Sequence, residues 1–334
     1  MPEGLTLSLG IVIVLAVVFD FINGFHDTAN AIATSVSTRV LRPAVAIVMA
    51  AALNFAGALV SDKVAKTISG GLVQGSVATR VVVAALIGAI VWDLITWRLG
   101  LPSSSSHALV GALIGAAIVD VMSFQHIIWK GLLDKVVLPL VLSPVAGFVF
   151  GFIIMKFLFF ALRRLSQRAV NRYFSKLQIL SAALMAFSHG TNDAQKSMGI
   201  ITLALIGQGL LRPKSDVPPW VIILCATAMA LGTSVGGWRI IKTIGMNMIK
   251  LQPVNGFAAE TAGALVIEAS ALMGMNSSTT HVISSSIMGV GAAKRFSAVR
   301  WNVVKSMVYA WVITLPVTAL IGGGAVFLIK LVMR

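Results

Sequence analysis

Gly24-Phe25-His26-Asp27-Thr28-Ala29-Asn30-Ala31 sets an aspartate, a histidine and an asparagine directly after an apolar run. Leu101-Pro102-Ser103-Ser104-Ser105-Ser106-His107 follows it with four hydroxyls and a second histidine. Both phrases return in the same order, as His189-Gly190-Thr191-Asn192-Asp193-Ala194 and Met275-Asn276-Ser277-Ser278-Thr279-Thr280-His281. Pairing Asp27 with Asp193 and His107 with His281 leaves one short insertion between the motifs of the second half. A diverged duplication produces this pattern, and in a membrane protein it points to a site between the repeats.

The rest of the chain supplies the membrane. It is 57% hydrophobic and only 11% charged over 334 residues, with a mean hydropathy of +0.94. Apolar runs at 5–22, 43–60, 81–99, 136–162, 221–237, 257–274 and 303–332 approach or reach the roughly 20 residues that cross a bilayer core. Shorter runs at 29–36, 108–121, 198–211 and 282–293 read as half-helices. The runs are continuously apolar and do not alternate, which excludes a β-barrel. The first run reads as a retained helix and not a removed signal peptide. Cys225 lies alone in an apolar run and cannot form an intrachain disulfide. The net charge of +15 is spread between apolar segments, so there is no surface for nucleic acid. Five crossings per half with both termini outside put the basic stretch 163–176 in the cytoplasm and favour basic residues inside. The expected fold is therefore an all-α integral membrane protein of the cytoplasmic (inner) membrane. Its two inverted repeats of about five elements, 1–162 and 178–334, are joined by a basic linker at 163–177.

A carboxylate beside some 20 apolar residues costs about 2.5–3.5 kcal/mol at a helix centre. Each aspartate here follows a glycine closely and precedes small, helix-compatible residues. The expectation is a broken helix with Asp27 or Asp193 at the N-cap of its second piece. An isolated aspartate in such a place is an ordinary cap, but duplication with flanking Asn, His and Gln favours a site. Glu260 is a further acid in an apolar run, and Lys196 either neutralises anionic charge or snorkels to the interface.

Serine and threonine before an apolar run are N-cap residues. A helix start offers free backbone N–H groups and partial positive charge, so hydroxyls gathered there make an anion site without arginine. Ser104, Ser105, Ser106, Ser278, Thr279 and Thr280 suit a tetrahedral oxyanion. His26, His107, His189 and His281 are candidate hydrogen-bond donors or proton carriers, while His126 reads as interfacial. Two carboxylates and an anion in one low-dielectric cavity repel each other strongly. A cation must therefore accompany the anion if the motifs converge.

The acidic segments resemble the duplicated signature of the inorganic phosphate transporter (PiT) family, of the bacterial low-affinity type. Gly256-Phe257-Ala258-Ala259-Glu260 and the Ser-Ser-Thr-Thr-His copy extend the likeness over essentially the whole chain. The resemblance implies an inverted-repeat fold carrying phosphate with Na⁺ or H⁺, or as a metal–phosphate complex, by alternating access. It makes Asp27, Asp193, Asn23 and Glu260 candidate cation or coupling groups. Asn30 and Asn192 join the six hydroxyl residues as candidate phosphate ligands. No cofactor or structural metal is expected, and the partners are phosphate, the coupling cation, the bilayer and, in a homodimer, a second copy of the chain. His26 stands where many members have Asn, and Ser105-Ser106 where Thr-Thr is common.

The nearest rival is a sulfate permease of the same fold, which the two aspartates disfavour because sulfate brings no proton. A passive anion channel would not need buried carboxylates. An intramembrane hydrolase lacks a His-Glu-x-x-His motif, and no Gly-x-x-x-x-Gly-Lys-Ser/Thr loop supports ATP coupling. The chain does not read as an enzyme.

Overall fold

The computed structural model describes residues 7–70, 77–125 and 127–332. The regular elements among them are helical, with no β-strand. His126 lies outside the described residues. The first half contains α1 (Leu7–Ser37), α2 (Pro43–Ala58), α3 (Lys63–Gly70), α4 (Thr79–Leu99), α5 (Ser105–Val121), α6 (Trp129–Leu132) and α7 (Leu138–Ala161). The second contains α8 (Gln167–Asp193), α9 (Gln195–Gly207), α10 (Pro219–Val235), α11 (Trp238–Lys242), α12 (Pro253–Leu272), α13 (Thr279–Lys294) and α14 (Trp301–Val332).

Among the described residues, four helical runs are long and apolar enough to cross a membrane: α1, α4, Trp129–Ala161 and α14. Two bent pairs add to them, α2 with α3 at 65° and α10 with Trp238–Asn247 at 62°. Proline opens α2 and α10, where its missing N–H costs nothing. The run expected at 257–274 is α12. It bears Glu260 and Glu268 and is not in the set apolar enough to span. The basic stretch 163–176 is mostly helical: Ser166 caps α8 by accepting from the Ala169 N–H at 3.3 Å.

The half-helices expected at 108–121, 198–211 and 282–293 are α5, α9 and α13. The one expected at 29–36 is not a separate element, because α1 runs unbroken from Leu7 to Ser37. Asp27 is therefore no N-cap. Its carboxylate faces a neighbouring helix instead of its own amides, and the Thr28 hydroxyl bonds back to Gly24 O as a helix-interior threonine does. The second copy does break, at Ala194, yet Asp193 is the last residue of α8 and caps nothing.

Packing follows the duplication. α1 lies on α10 and α8 on α2; α5 lies on α14 and α13 on α7. Each of these helices is thus covered by one from the other half. Close approach depends on glycine. A Cβ on Gly24 would strike the α10 backbone at Met229 O, and one on Gly190 would strike Asn54 O of α2. Small residues at such crossings let backbones pack tightly where lipid removes the hydrophobic driving force.

Candidate functional site

The two hydroxyl motifs form helix starts as expected. Ser104 caps α5 and Ser278 caps α13, each side chain accepting from the backbone N–H of the histidine three residues on, at 3.2 Å. Their first turns carry Ser105-Ser106 and Thr279-Thr280, all buried. Ser106 Oγ reaches Ser277 O at 3.4 Å, so the start of α5 meets the segment leading into α13.

The acidic motifs abut these starts. Asp27 Oδ2 accepts from Ser105 Oγ at 2.9 Å, and Oδ1 accepts from His26 Nδ1 at 2.7 Å. His26 Nε2 lies 3.2 Å from Thr96 Oγ1, which also accepts from Ser103 Oγ at 2.8 Å. One turn beyond Asp27, Asn30 Nδ2 donates to Thr280 Oγ1 at 2.9 Å. The first acidic motif therefore touches both hydroxyl helices.

In the second motif Asn192 Nδ2 donates to Asp193 Oδ1 at 2.9 Å and to Ser277 O at 3.2 Å. Asp193 Oδ2 receives Lys196 Nζ at 2.7 Å. The same ammonium donates to Ser105 Oγ at 2.8 Å, so the two carboxylates are linked through Lys196 and Ser105. Lys196 is only 1% exposed, which rules out snorkelling and leaves the neutralising role. His189 Nδ1 sits 3.1 Å from Asn54 Oδ1, with Nε2 3.5 Å from Asp193 Oδ2. Asp27, His189 and Asp193 offer ligand atoms within 4.8 Å of one another, a spacing that could hold a cation.

The remaining candidates fall into two groups. His107 and His281 face each other across α5 and α13 with ring centroids 5.1 Å apart, and His281 stacks on Trp311 at 4.1 Å. Their ring nitrogens and the Asn23 amide have no hydrogen-bond partner among the described residues. Glu260 lies apart from the aspartates. It accepts from Thr34 and Ser181 hydroxyls and from Gln178 Nε2 at 3.2 Å, tying α12 to α1 and α8. All three donors are neutral, so they satisfy the carboxylate's lone pairs without supplying a counter-charge.

The model of the phosphate transporter family matches residues 23–322. The chain belongs to that family. A probable low-affinity inorganic phosphate transporter of Bacillus subtilis (strain 168) is 49% identical over 96% of this chain and 97% of its own length. One from Rhizobium meliloti (strain 1021) is 48% identical over 96% of both. A solved structure titled "The sodium-dependent phosphate transporter" superposes with a TM-score of 0.87 at 25% identity, covering 98% of this chain and 100% of that one. Family membership and the apolar helices together make this a multi-pass membrane protein, a transporter and not an enzyme. These relatives lend no support to the sulfate alternative.

Some of the site's residues were missed by reading the sequence. Asn54 holds His189 and also donates to Thr233 Oγ1 at 3.0 Å. Asp20 accepts from Ser197 Oγ at 2.6 Å inside the first apolar run. Both are lone polar residues within a span, which is itself a signal of function or pairing. Thr96 carried no such signal, because a threonine in a helix usually bonds its own backbone, as it also does here to Trp92 O.

Proposed function

We propose that this protein carries inorganic phosphate across the cytoplasmic membrane together with a cation, by alternating access. The observation that carries the reading is the meeting of four motifs. Two hydroxyl-capped helix starts, α5 and α13, are bonded through Ser105 and Thr280 to Asp27 and Asn30, beside Asp193. Helix starts suit a tetrahedral anion, and paired carboxylates suit its cation.

Phosphate oxygens would take the hydroxyls of Ser104, Ser105, Ser106, Ser278, Thr279 and Thr280 with the amides of Asn30 and Asn192. The cation would sit at Asp27, His189 and Asp193. Na⁺ coupling is supported by the name of the solved relative. An imidazole in the donor set favours a divalent metal travelling with phosphate. Every group named is buried, so the arrangement corresponds to a closed state that must open to either side. The exchanged packing of the two halves supports inverted repeats, and the basic residues of 163–176 favour that stretch inside, with both termini outside.

The test is radiolabelled phosphate uptake into proteoliposomes under independent Na⁺, proton and Mn²⁺ gradients, with sulfate as competitor. Stimulation by one cation with little sulfate competition is expected. Uptake indifferent to all three gradients would overturn cation coupling.

A further inference from the structure

Lys196 occupies a position that neither motif explains. Its ammonium bonds Asp193 Oδ2 at 2.7 Å, the same oxygen that faces His189 Nε2 at 3.5 Å. A cation bridging His189 and Asp193 would meet Oδ2, the Asp193 oxygen that faces the imidazole, so the ammonium and the cation compete for that carboxylate. Its other contact, Ser105 Oγ at 2.8 Å, belongs to a hydroxyl helix start. A single side chain thus touches the acidic pair and the anion cradle at once.

We propose that Lys196 is a tethered counter-ion that makes phosphate binding conditional on cation binding. Without a transported cation the ammonium neutralises Asp193. When a cation takes Asp193, the ammonium loses its carboxylate, and a buried charge without a partner is strongly disfavoured. An anion at the starts of α5 and α13 supplies the missing partner within reach of Ser105. Cation and phosphate therefore strengthen each other's binding, and by linkage the effect is reciprocal.

Charge balance agrees. Two carboxylates and one ammonium leave the cluster with a single negative charge when the histidines are neutral. A divalent cation arriving with a doubly charged phosphate leaves that charge unchanged. Phosphate alone would add repulsion to a buried anion. The inference rests on the phosphate-transport reading for its anion, but the competition at Asp193 does not.

The experiment is a titration of purified full-length protein with Mn²⁺, followed by paramagnetic resonance, with and without inorganic phosphate. The wild type should bind Mn²⁺ about tenfold more tightly when phosphate is present, within the usual range of site coupling. Lys196→Gln should tighten Mn²⁺ binding without phosphate by about tenfold and reduce the phosphate effect to near unity. Lys196→Arg should keep part of the coupling. Lys196→Met serves as a second uncharged variant, and monodisperse elution verifies folding of each. Unchanged Mn²⁺ affinity in both uncharged variants, or undiminished enhancement by phosphate, would overturn the proposal. A wild type whose Mn²⁺ binding ignores phosphate overturns the coupling, while saturable phosphate binding in the same sample leaves the phosphate reading standing. Tightened metal binding in Lys196→Gln still reports the tethered counter-ion.

Discussion

The two acidic motifs are nearly the same in sequence and differ in structure. Asp27 sits inside an unbroken helix and is held by a neighbouring imidazole and Ser105. Asp193 ends its helix, next to the break at Ala194, and is held by a buried ammonium. Lys196 lies three residues on, in the first turn of α9, the spacing at which helical side chains meet. The repeated motif thus places two unlike acids beside the same hydroxyl helices. One is supported by an imidazole and a serine hydroxyl, the other by a buried lysine side chain.

The sharpest way to break this comparison is to neutralise each acid in turn. Asp193→Asn strands a buried ammonium and should cost about 3–5 kcal/mol of stability. Asp27→Asn removes a hydrogen-bond acceptor from His26 and Ser105, at about 1–3 kcal/mol. Both should abolish coupled uptake. Thermal unfolding in detergent checks the order, and equal losses would mean that the two acids are equivalent. Adding Lys196→Met to Asp193→Asn should recover much of the lost stability without restoring uptake, since the stranded charge is gone.

Next in size are the glycines that hold each motif to its neighbour. Gly24→Ala and Gly190→Ala both drive a methyl into backbone, of α10 and α2 respectively. Each should lower stability by about 1–3 kcal/mol, the range of overpacking. Gly10→Ala, on α1 with open space around it, should be neutral or stabilising by about 0.4–1 kcal/mol. A Gly10 variant as damaged as the others would show that the close crossings are not what the motif glycines provide.

The caps should match across the halves. Ser104→Ala and Ser278→Ala each remove one capping bond of 3.2 Å, and about 1 kcal/mol apiece is expected. The smallest effect is expected from His26→Asn, which copies Asn192 into the first motif. Uptake should fall only a few-fold, and complete loss would make the imidazole itself indispensable.

Much of this was legible in the chain. The duplicated motifs, the membrane setting and the hydroxyl caps are local facts, carried by periodicity and by residues that bond their own backbone. The acids' surroundings were less so. Reading a glycine followed by an aspartate as a helix break with the aspartate as N-cap failed for Asp27, where α1 continues, and held only for the break at Asp193, which caps nothing. Glu260 was legible as an acid in an apolar run, but its partners Thr34, Ser181 and Gln178 on two other helices were not. Asn54 and Asp20 stood out only as single polar residues in apolar runs.

By itself, the sequence determined that the chain is helical and membrane-embedded, and that its acidic and hydroxyl motifs recur in the same order in both halves. Hydropathy and capping act over a few residues, so neighbours in the chain suffice to read them. Only the tertiary structure decided which acid meets which hydroxyl, and that Lys196 lies between them. Those bonds join α1, α5, α8, α9 and α13, and partners so far apart in the chain are chosen by helix packing.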